Sequence, residues 1–393
     1  MDIKQAKLDR LRGAMKFEQA DRVAIGDFFW TGFRKKCINK WGDDFDPYFH
    51  FDLDYVTVDP NMDPKIQDFE ILEQTDTDTV LKTGFGATIR RRSDLPMPHF
   101  EDFSVKEPEE MADFVLEDPT DQRRFFKGGD NQLSCIGDAL VLGGIPSWSD
   151  RIDHYCERIP VFGTACDPYE YIWRCIGSVN ALEYLALEPE MMRDFIDRIG
   201  SWMVKMVEAQ IKAGAGRLSG LCIWGDVAYR KSMFFSPKMW REMFKPHVKA
   251  LIDMAHDHGL LVLYHGCGRV LPILDDYAQM GLDAYNPLEA KAGQDVVQLK
   301  DQFHKRMAFC GNLDVRELET NDPDRVKREV LYKLQAARGG GWICQSDHSI
   351  TSQVDPETYE LVCSLIRDFG RQPIDLDNIA REVAVLDKRL GRG

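Results

Sequence analysis

Apolar blocks alternate with longer segments of helical period along most of this chain. Residues 260–264 (Leu-Leu-Val-Leu-Tyr) carry no polar break, which suits a strand covered on both faces. The block stops at His265-Gly266-Cys267-Gly268, where two small glycines let the backbone turn and leave room for a ligand. Upstream, Glu188-Pro189-Glu190 opens a strong helix. Its apolar positions Met192, Phe195, Ile196, Ile199, Met203, Met206, Val207 and Ile211 keep the i, i+3, i+4 step, and Gly214 and Gly216 end it.

From there the pattern repeats. Strands are predicted at 218–224, 283–286, 307–309 and 342–344 besides the 260s block. Helices are predicted from Ser236-Pro237, where Pro246 kinks or divides the helix, and over 270–280, 296–303, 323–337 and 356–369. A strand and helix pair every roughly 20 to 40 residues is the period of an eightfold α/β barrel, so the fold expected is a (β/α)8 TIM barrel. Nearer the start, 7–17 reads as a helix, and 22–25 and 52–59 as strands. Short β-like runs within 66–92, broken by Asp, Thr, Gly84 and Gly86, predict a small antiparallel meander inserted at 65–95, a candidate lid. Two short helices are expected within 108–126 and a further strand at 139–144. No low-complexity linker interrupts the chain, which reads as one domain over 1–393.

Composition narrows the function. The net charge of −15 argues against a nucleic-acid partner or an anionic membrane surface. No stretch approaches the roughly 20 apolar residues that span a bilayer, and the first residues lack a signal peptide's apolar core, so a cytoplasmic location is expected. The ten cysteines are scattered singly, which suits reduced thiols rather than a disulfide scaffold. Self-association into a homo-oligomer is compatible with the sequence, which does not set it.

Unusual residues collect where the strands end. Asp226, Tyr229 and Arg230 follow the 220s strand; His265 and Cys267 follow the 260s; Asn286 and Glu289 follow the 280s. Cys310, Asn312 and Asp314 follow the 300s strand, and Cys344, Ser346, Asp347 and His348 the last. In a barrel all would face one rim. His265, Cys267, Glu289 and Cys344 together form a mixed N/S/O set that suits zinc, with Cys310 the rival for the second sulfur. Asp226, Asp347 and His348 are the acid–base candidates, and Tyr229, Asn286 and Trp148 the substrate-binding ones. Each has a structural alternative: an Asp at a strand end caps the next helix, His348 holds its loop, and Trp148 packs.

Several stretches resemble the uroporphyrinogen decarboxylase-like superfamily. They are Phe17-Glu-Gln-Ala-Asp-Arg-Val, Trp224-Gly-Asp-Val-Ala, Ser236-Pro-Lys-Met-Trp with Phe244-Lys-Pro, and Tyr264-His-Gly-Cys-Gly. Gly281-Leu-Asp-Ala-Tyr-Asn-Pro-Leu-Glu, Phe309-Cys-Gly-Asn-Leu-Asp, Gly339-Gly-Gly-Trp-Ile and Ser346-Asp-His-Ser complete the set. The resemblance covers most of residues 7 to 370 and implies a (β/α)8 barrel. The metal-free decarboxylases of that superfamily carry Met-Arg-Gln-Ala-Gly-Arg near the first strand, whereas this chain has Gly26-Asp-Phe-Phe-Trp-Thr-Gly-Phe-Arg. The zinc methyltransferase branch carries a His-x-Cys motif and a distant Cys, which His265, Cys267 and Cys344 resemble, and a zinc-ligand Glu similar to Glu289. That likeness implies a zinc-dependent methyltransferase moving a methyl group between a small methoxylated or methylated compound and cobalamin on a separate corrinoid protein, since no corrinoid-binding domain is evident here. Transfer from a methylcorrinoid to a thiol is the variant within that class. The rivals are a metal-free decarboxylase using an acid such as Asp59, and a non-catalytic tetrapyrrole or corrinoid binder.

Overall fold

A computed structural model describes the chain apart from residues 1, 19, 67–69, 93–96, 129–131, 134–139, 142–144 and 393. Three sheets organise it. Val56–Val58 is β1. An antiparallel sheet follows, in the order β2 (Glu70–Gln74), β3 (Asp78–Lys82), β4 (Thr88–Arg92) and β5 (His99–Asp102). It runs past residue 95, the boundary the sequence suggests for the meander. A two-stranded ribbon joins β6 (Gln132–Leu133) to β7 (Leu140–Val141). The remainder of the strand expected at 139–144 lies outside the described residues.

The principal sheet is parallel and curled. Its seven strands run β1, β8 (Val161–Cys166), β9 (Leu218–Trp224), β10 (Leu261–His265), β11 (Ala284–Asn286), β12 (Ala308–Cys310) and β13 (Trp342–Ile343). Helices cross over between successive strands, because a parallel pair needs a long connection. Residues 23–26 stitch its two edges together. The amide of Cys344 bonds to Ala24 O and that of Gly26 to Cys344 O, while the Asp54 amide reaches Ile25 O at 2.7 Å on the other side. The longest crossover helix, Pro189–Gly214, buries Met192, Phe195, Ile196, Ile199, Met203, Met206 and Val207 against the sheet. The helix after Ser236 is divided: Pro237–Met243 ends, Phe244 leaves ideal geometry, and Lys245–Asp257 restarts with Pro246 in its first turn.

Strand alternation decides which side chains reach the interior. A Cβ on Gly163 would strike Gln210 of the Pro189–Gly214 helix at 2.1 Å, so Gly163 faces out and its neighbour Thr164 faces in. Tyr55, Cys310 and Gln345 meet inside: Tyr55 donates to Gln345 Oε1 at 2.6 Å and the Cys310 thiol to the same oxygen at 3.0 Å. With Gln345 inward, Cys344 must face outward.

Candidate metal centre

β9 and β10 end side by side, with Trp224 paired to His265. Just past these ends a carboxylate oxygen of Asp226, a ring nitrogen of His265 and Sγ of Cys267 lie within 4.8 Å of one another. Local chain geometry builds the group. A Cβ on Gly225 would meet the Tyr264 hydroxyl at 2.1 Å, so only glycine fits between the end of β9 and Asp226. Asp226 Oδ1 accepts the Cys267 amide at 2.7 Å. Gly268 follows at φ +85°, which only glycine adopts freely.

The tautomer of His265 follows from its neighbours. Asn286 Nδ2 donates to Cys310 O at 2.8 Å, so its Oδ1 faces His265 Nδ1 at 2.5 Å. Nδ1 therefore carries the proton, and the Nε2 lone pair points toward Cys267 Sγ, 3.6 Å away. Burial pushes the imidazole down to about 4, against a smaller upward effect of the Asn286 bond. The Cys267 thiol is driven well above its ordinary range by burial and then by Asp226 and Glu289. Asp226 rises to about 7, through burial first and the nearby Glu170 second. Imidazole held neutral, a thiol and a carboxyl that resist ionising, all converging on one point, are the donor set a divalent cation would relieve. The group fits zinc.

The cluster is not the ligand set read from sequence. Asp226, expected as an acid, joins His265 and Cys267, while Glu289 and Cys344 do not. Glu289 is buried behind the loop, taking the Gly268 amide at 3.1 Å and facing Lys291 Nζ at 3.0 Å. Cys344 faces outward, its thiol held neutral by burial and by its neighbours Cys363 and Asp27. Cys310 is inside the curl of the sheet but bonded to Gln345.

Other expectations sort similarly. Asp347 accepts the amides of Ala290 at 2.9 Å and Val315 at 2.9 Å, so both its oxygens tie loops together rather than facing a substrate. His348 Nδ1 bonds Ser349 O at 3.1 Å and its ring meets Trp30 edge-on, 5.0 Å between centroids. Asn286 orients His265 instead of meeting a substrate. Trp148 is a packing residue: it is buried, its indole donates to Val58 O at 3.0 Å, and its ring packs on Phe125. Tyr229 is 49% exposed on the rim, stacked beside Phe234. Sequence reasoning missed β8 and with it Glu170, whose Oε2 accepts the Asp226 amide at 3.3 Å and whose Oε1 is paired to Arg174 at 2.7 Å. Asp167-Pro168, a helix cap followed by proline, was the available signal.

Residues 147–369 match the uroporphyrinogen decarboxylase (URO-D) family. The chain belongs to this family. Its relatives include the uroporphyrinogen decarboxylases of Psychrobacter arcticus, 23% identical over 232 residues, and of Cellvibrio japonicus, 26% identical over 229 residues. Those matches cover 54% and 55% of this chain and 60% of each relative, so the chain spans about three fifths of their length. Among solved structures, a methyltransferase from Methanosarcina mazei superposes with a TM-score of 0.66 at 17% identity, covering 92% of this chain and 98% of that one. This likeness shows a fold shared with that protein over nearly the whole chain. No helix among the described residues is long and apolar enough to cross a membrane.

Proposed function

We propose that this URO-D family member is a zinc-dependent methyltransferase, moving a methyl group between a small methoxylated or methylated substrate and a corrinoid protein. The observation that carries the reading is the convergence of Asp226, His265 and Cys267 at the carboxyl ends of β9 and β10. The fold shared with the Methanosarcina mazei methyltransferase supports it. We read the fold as a (β/α)8 barrel with the 65–95 meander inserted. The antiparallel sheet packs on the helix Pro168–Ile176, which carries Glu170, through Phe85 on Tyr171 and Phe100 on Trp173.

Asp226, His265 and Cys267 would hold the ion, leaving room for an exchangeable fourth ligand. Zinc bound there supplies either a stabilised thiolate or Lewis acidity toward an ether oxygen, and cobalamin on the partner protein supplies the methyl-carrying cobalt. Asn286 keeps the His265 proton on Nδ1. His348, with Nδ1 engaged by Ser349, presents Nε2 for the proton exchanged with the substrate oxygen. Trp224 and Phe28 pack on the His265 ring at 4.8 and 6.0 Å and hold its plane.

The test is metal content in protein purified without chelator. Wild type should carry one zinc per chain. Cys267→Ser and Asp226→Ala should lose most of it, and Cys344→Ser should keep it. A wild-type protein without bound metal sinks the reading. The decarboxylases among its relatives favour a second one, a metal-free lyase. In that case Asp59→Asn would abolish turnover in protein that never held metal.

A further inference from the structure

The helix Pro168–Ile176 stands between the antiparallel sheet and the metal centre and touches both. On one side the sheet grips it at three points. Phe85 meets Tyr171 at 5.0 Å between centroids, and Phe100 meets Trp173 edge-on at 5.1 Å. Phe103, just past β5, fills the space a side chain at Gly177 would need, since a Cβ there would lie 2.7 Å from its ring.

On the other side the same helix holds the corner of chain that carries Asp226. The Asp167 amide donates to Trp224 O at 2.6 Å. The Tyr264 hydroxyl lies 3.0 Å from Asp167 Oδ2 and 3.1 Å from Gly225 O. Glu170 Oε2 accepts the Asp226 amide at 3.3 Å. Three consecutive residues, Trp224 to Asp226, are thus tied to the start of one helix.

A single atom serves both sides. Glu170 Oε2 also accepts Trp173 Nε1, at 3.1 Å. The other oxygen, Oε1, takes Arg174 Nη2 at 2.7 Å, and the Arg174 guanidinium lies 4.7 Å over the Trp173 ring. Glu170 and Arg174 are 6% and 3% exposed, so these partners rather than solvent set the plane of the carboxylate. Trp173 meets the sheet with its ring and the Glu170 carboxylate with its N–H. An oxygen with two lone pairs serves both donors, and the Asp226 bond is the longer of the two and the easier to lose. Packing alone explains the ring of Trp173. It does not call for the N–H to share the oxygen that holds a metal ligand's amide.

We propose that Glu170 and Trp173 are positioning residues that couple the seat of the antiparallel sheet to Asp226, so that a shift of the sheet loosens the carboxylate of the metal centre. The proposal rests on the methyltransferase reading only in taking Asp226 as a zinc ligand, because the coupling itself needs no metal.

Trp173→Phe keeps a ring and removes the N–H, while Phe100→Leu weakens the contact from the sheet and leaves the helix intact. Each should weaken zinc binding by about tenfold, the usual cost of an outer partner of a metal ligand. Each should also change the visible bands of the cobalt-substituted protein, which report ligand geometry rather than stability. The double variant should bind zinc no more weakly than Trp173→Phe, because the path is already cut. In chelated protein, amides of the peptide spanning residues 224–228 should exchange faster in both variants, with those of the Pro189–Gly214 helix unchanged. Glu170→Gln should behave as Trp173→Phe does, and if it does not fold the other two variants decide. Unchanged exchange at 224–228 or an unchanged cobalt spectrum in Trp173→Phe overturns the proposal. So do losses of zinc affinity that add in the double variant. A wild type that takes up neither zinc nor cobalt overturns the methyltransferase reading, and amide exchange then decides the coupling by itself.

Discussion

Asp226 concentrates the chemistry of the rim in one side chain. Burial and Glu170 raise it to about 7, so in metal-free protein the native state holds a proton that the unfolded chain has lost. The linkage has a definite sign. Stability from this group is fully present below the ordinary carboxylate range near 3.8 and is lost as pH rises through about 7. Asparagine keeps the acceptor for the Cys267 amide and cannot ionise. In chelated protein, Asp226→Asn should therefore gain stability over wild type as the pH is moved from about 5 to about 8, read as the difference in urea midpoints. Parallel pH curves for the two proteins would show that Asp226 is not held protonated. The effect reverses with zinc present, where the carboxylate is wanted charged and the asparagine variant should bind metal more weakly.

At the scale of strands and loops, much of the arrangement was legible. The 260s block, the strands on either side of it and the long 190s helix follow from period and breakers alone, because each is long or sharply bounded. β8 was not. Val161–Cys166 is buried at every position and only six residues long, and a short apolar run reads as strand or helix equally well. The ligand set suffered from a different limit. His265 and Cys267 stand together on one loop, but the third member depended on the phase of the last strand. One residue of register turns Cys344 from interior to exterior. Nor could spacing show that Asp226, on the neighbouring strand end, meets His265 and Cys267. The loop after β10 is where this geometry is least forgiving. A Cβ on Gly268 would lie 2.6 Å from the Ala228 backbone, at φ +85°. Gly281 has nearly the same backbone, φ +86°, with nothing within 4 Å of its Cβ. Gly281→Ala should thus cost about 1 to 2 kcal/mol of backbone strain and leave zinc affinity alone. Gly268→Ala should cost more, and should weaken zinc binding because Cys267 is its neighbour. Equal losses in both variants, measured by denaturation and zinc titration, would mean the loop yields without moving its ligand.

For the molecule as a whole, the rim works only if the sheet is held in its curl, and the stitch at residues 23–26 depends on one buried acid. Asp54 is fully buried between the two edges. Its Oδ2 takes the Ile25 amide at 2.7 Å and Arg22 Nη1 at 2.9 Å, and its Oδ1 takes Arg10 Nη1 at 3.0 Å. Arg10 comes from the leading helix Ile3–Met15 and Arg22 from the segment after it, so a single carboxylate gathers the helix, the closing segment and the start of β1. Asp54→Asn removes the charge and leaves two guanidinium groups facing a neutral amide, one of them, Arg22, only 7% exposed. Breaking one side of such a buried pair costs about 3 to 5 kcal/mol, a large share of a domain's net stability. The variant should unfold at clearly lower urea concentration, with the loss spread over the whole cooperative transition because every strand shares the curl. Zinc should still bind the folded fraction with near wild-type affinity, since Asp54 contacts none of Asp226, His265 or Cys267. A variant whose stability is unchanged would show that the edges close without the acid. One that loses zinc affinity while staying folded would show that closure of the sheet sets the rim geometry directly.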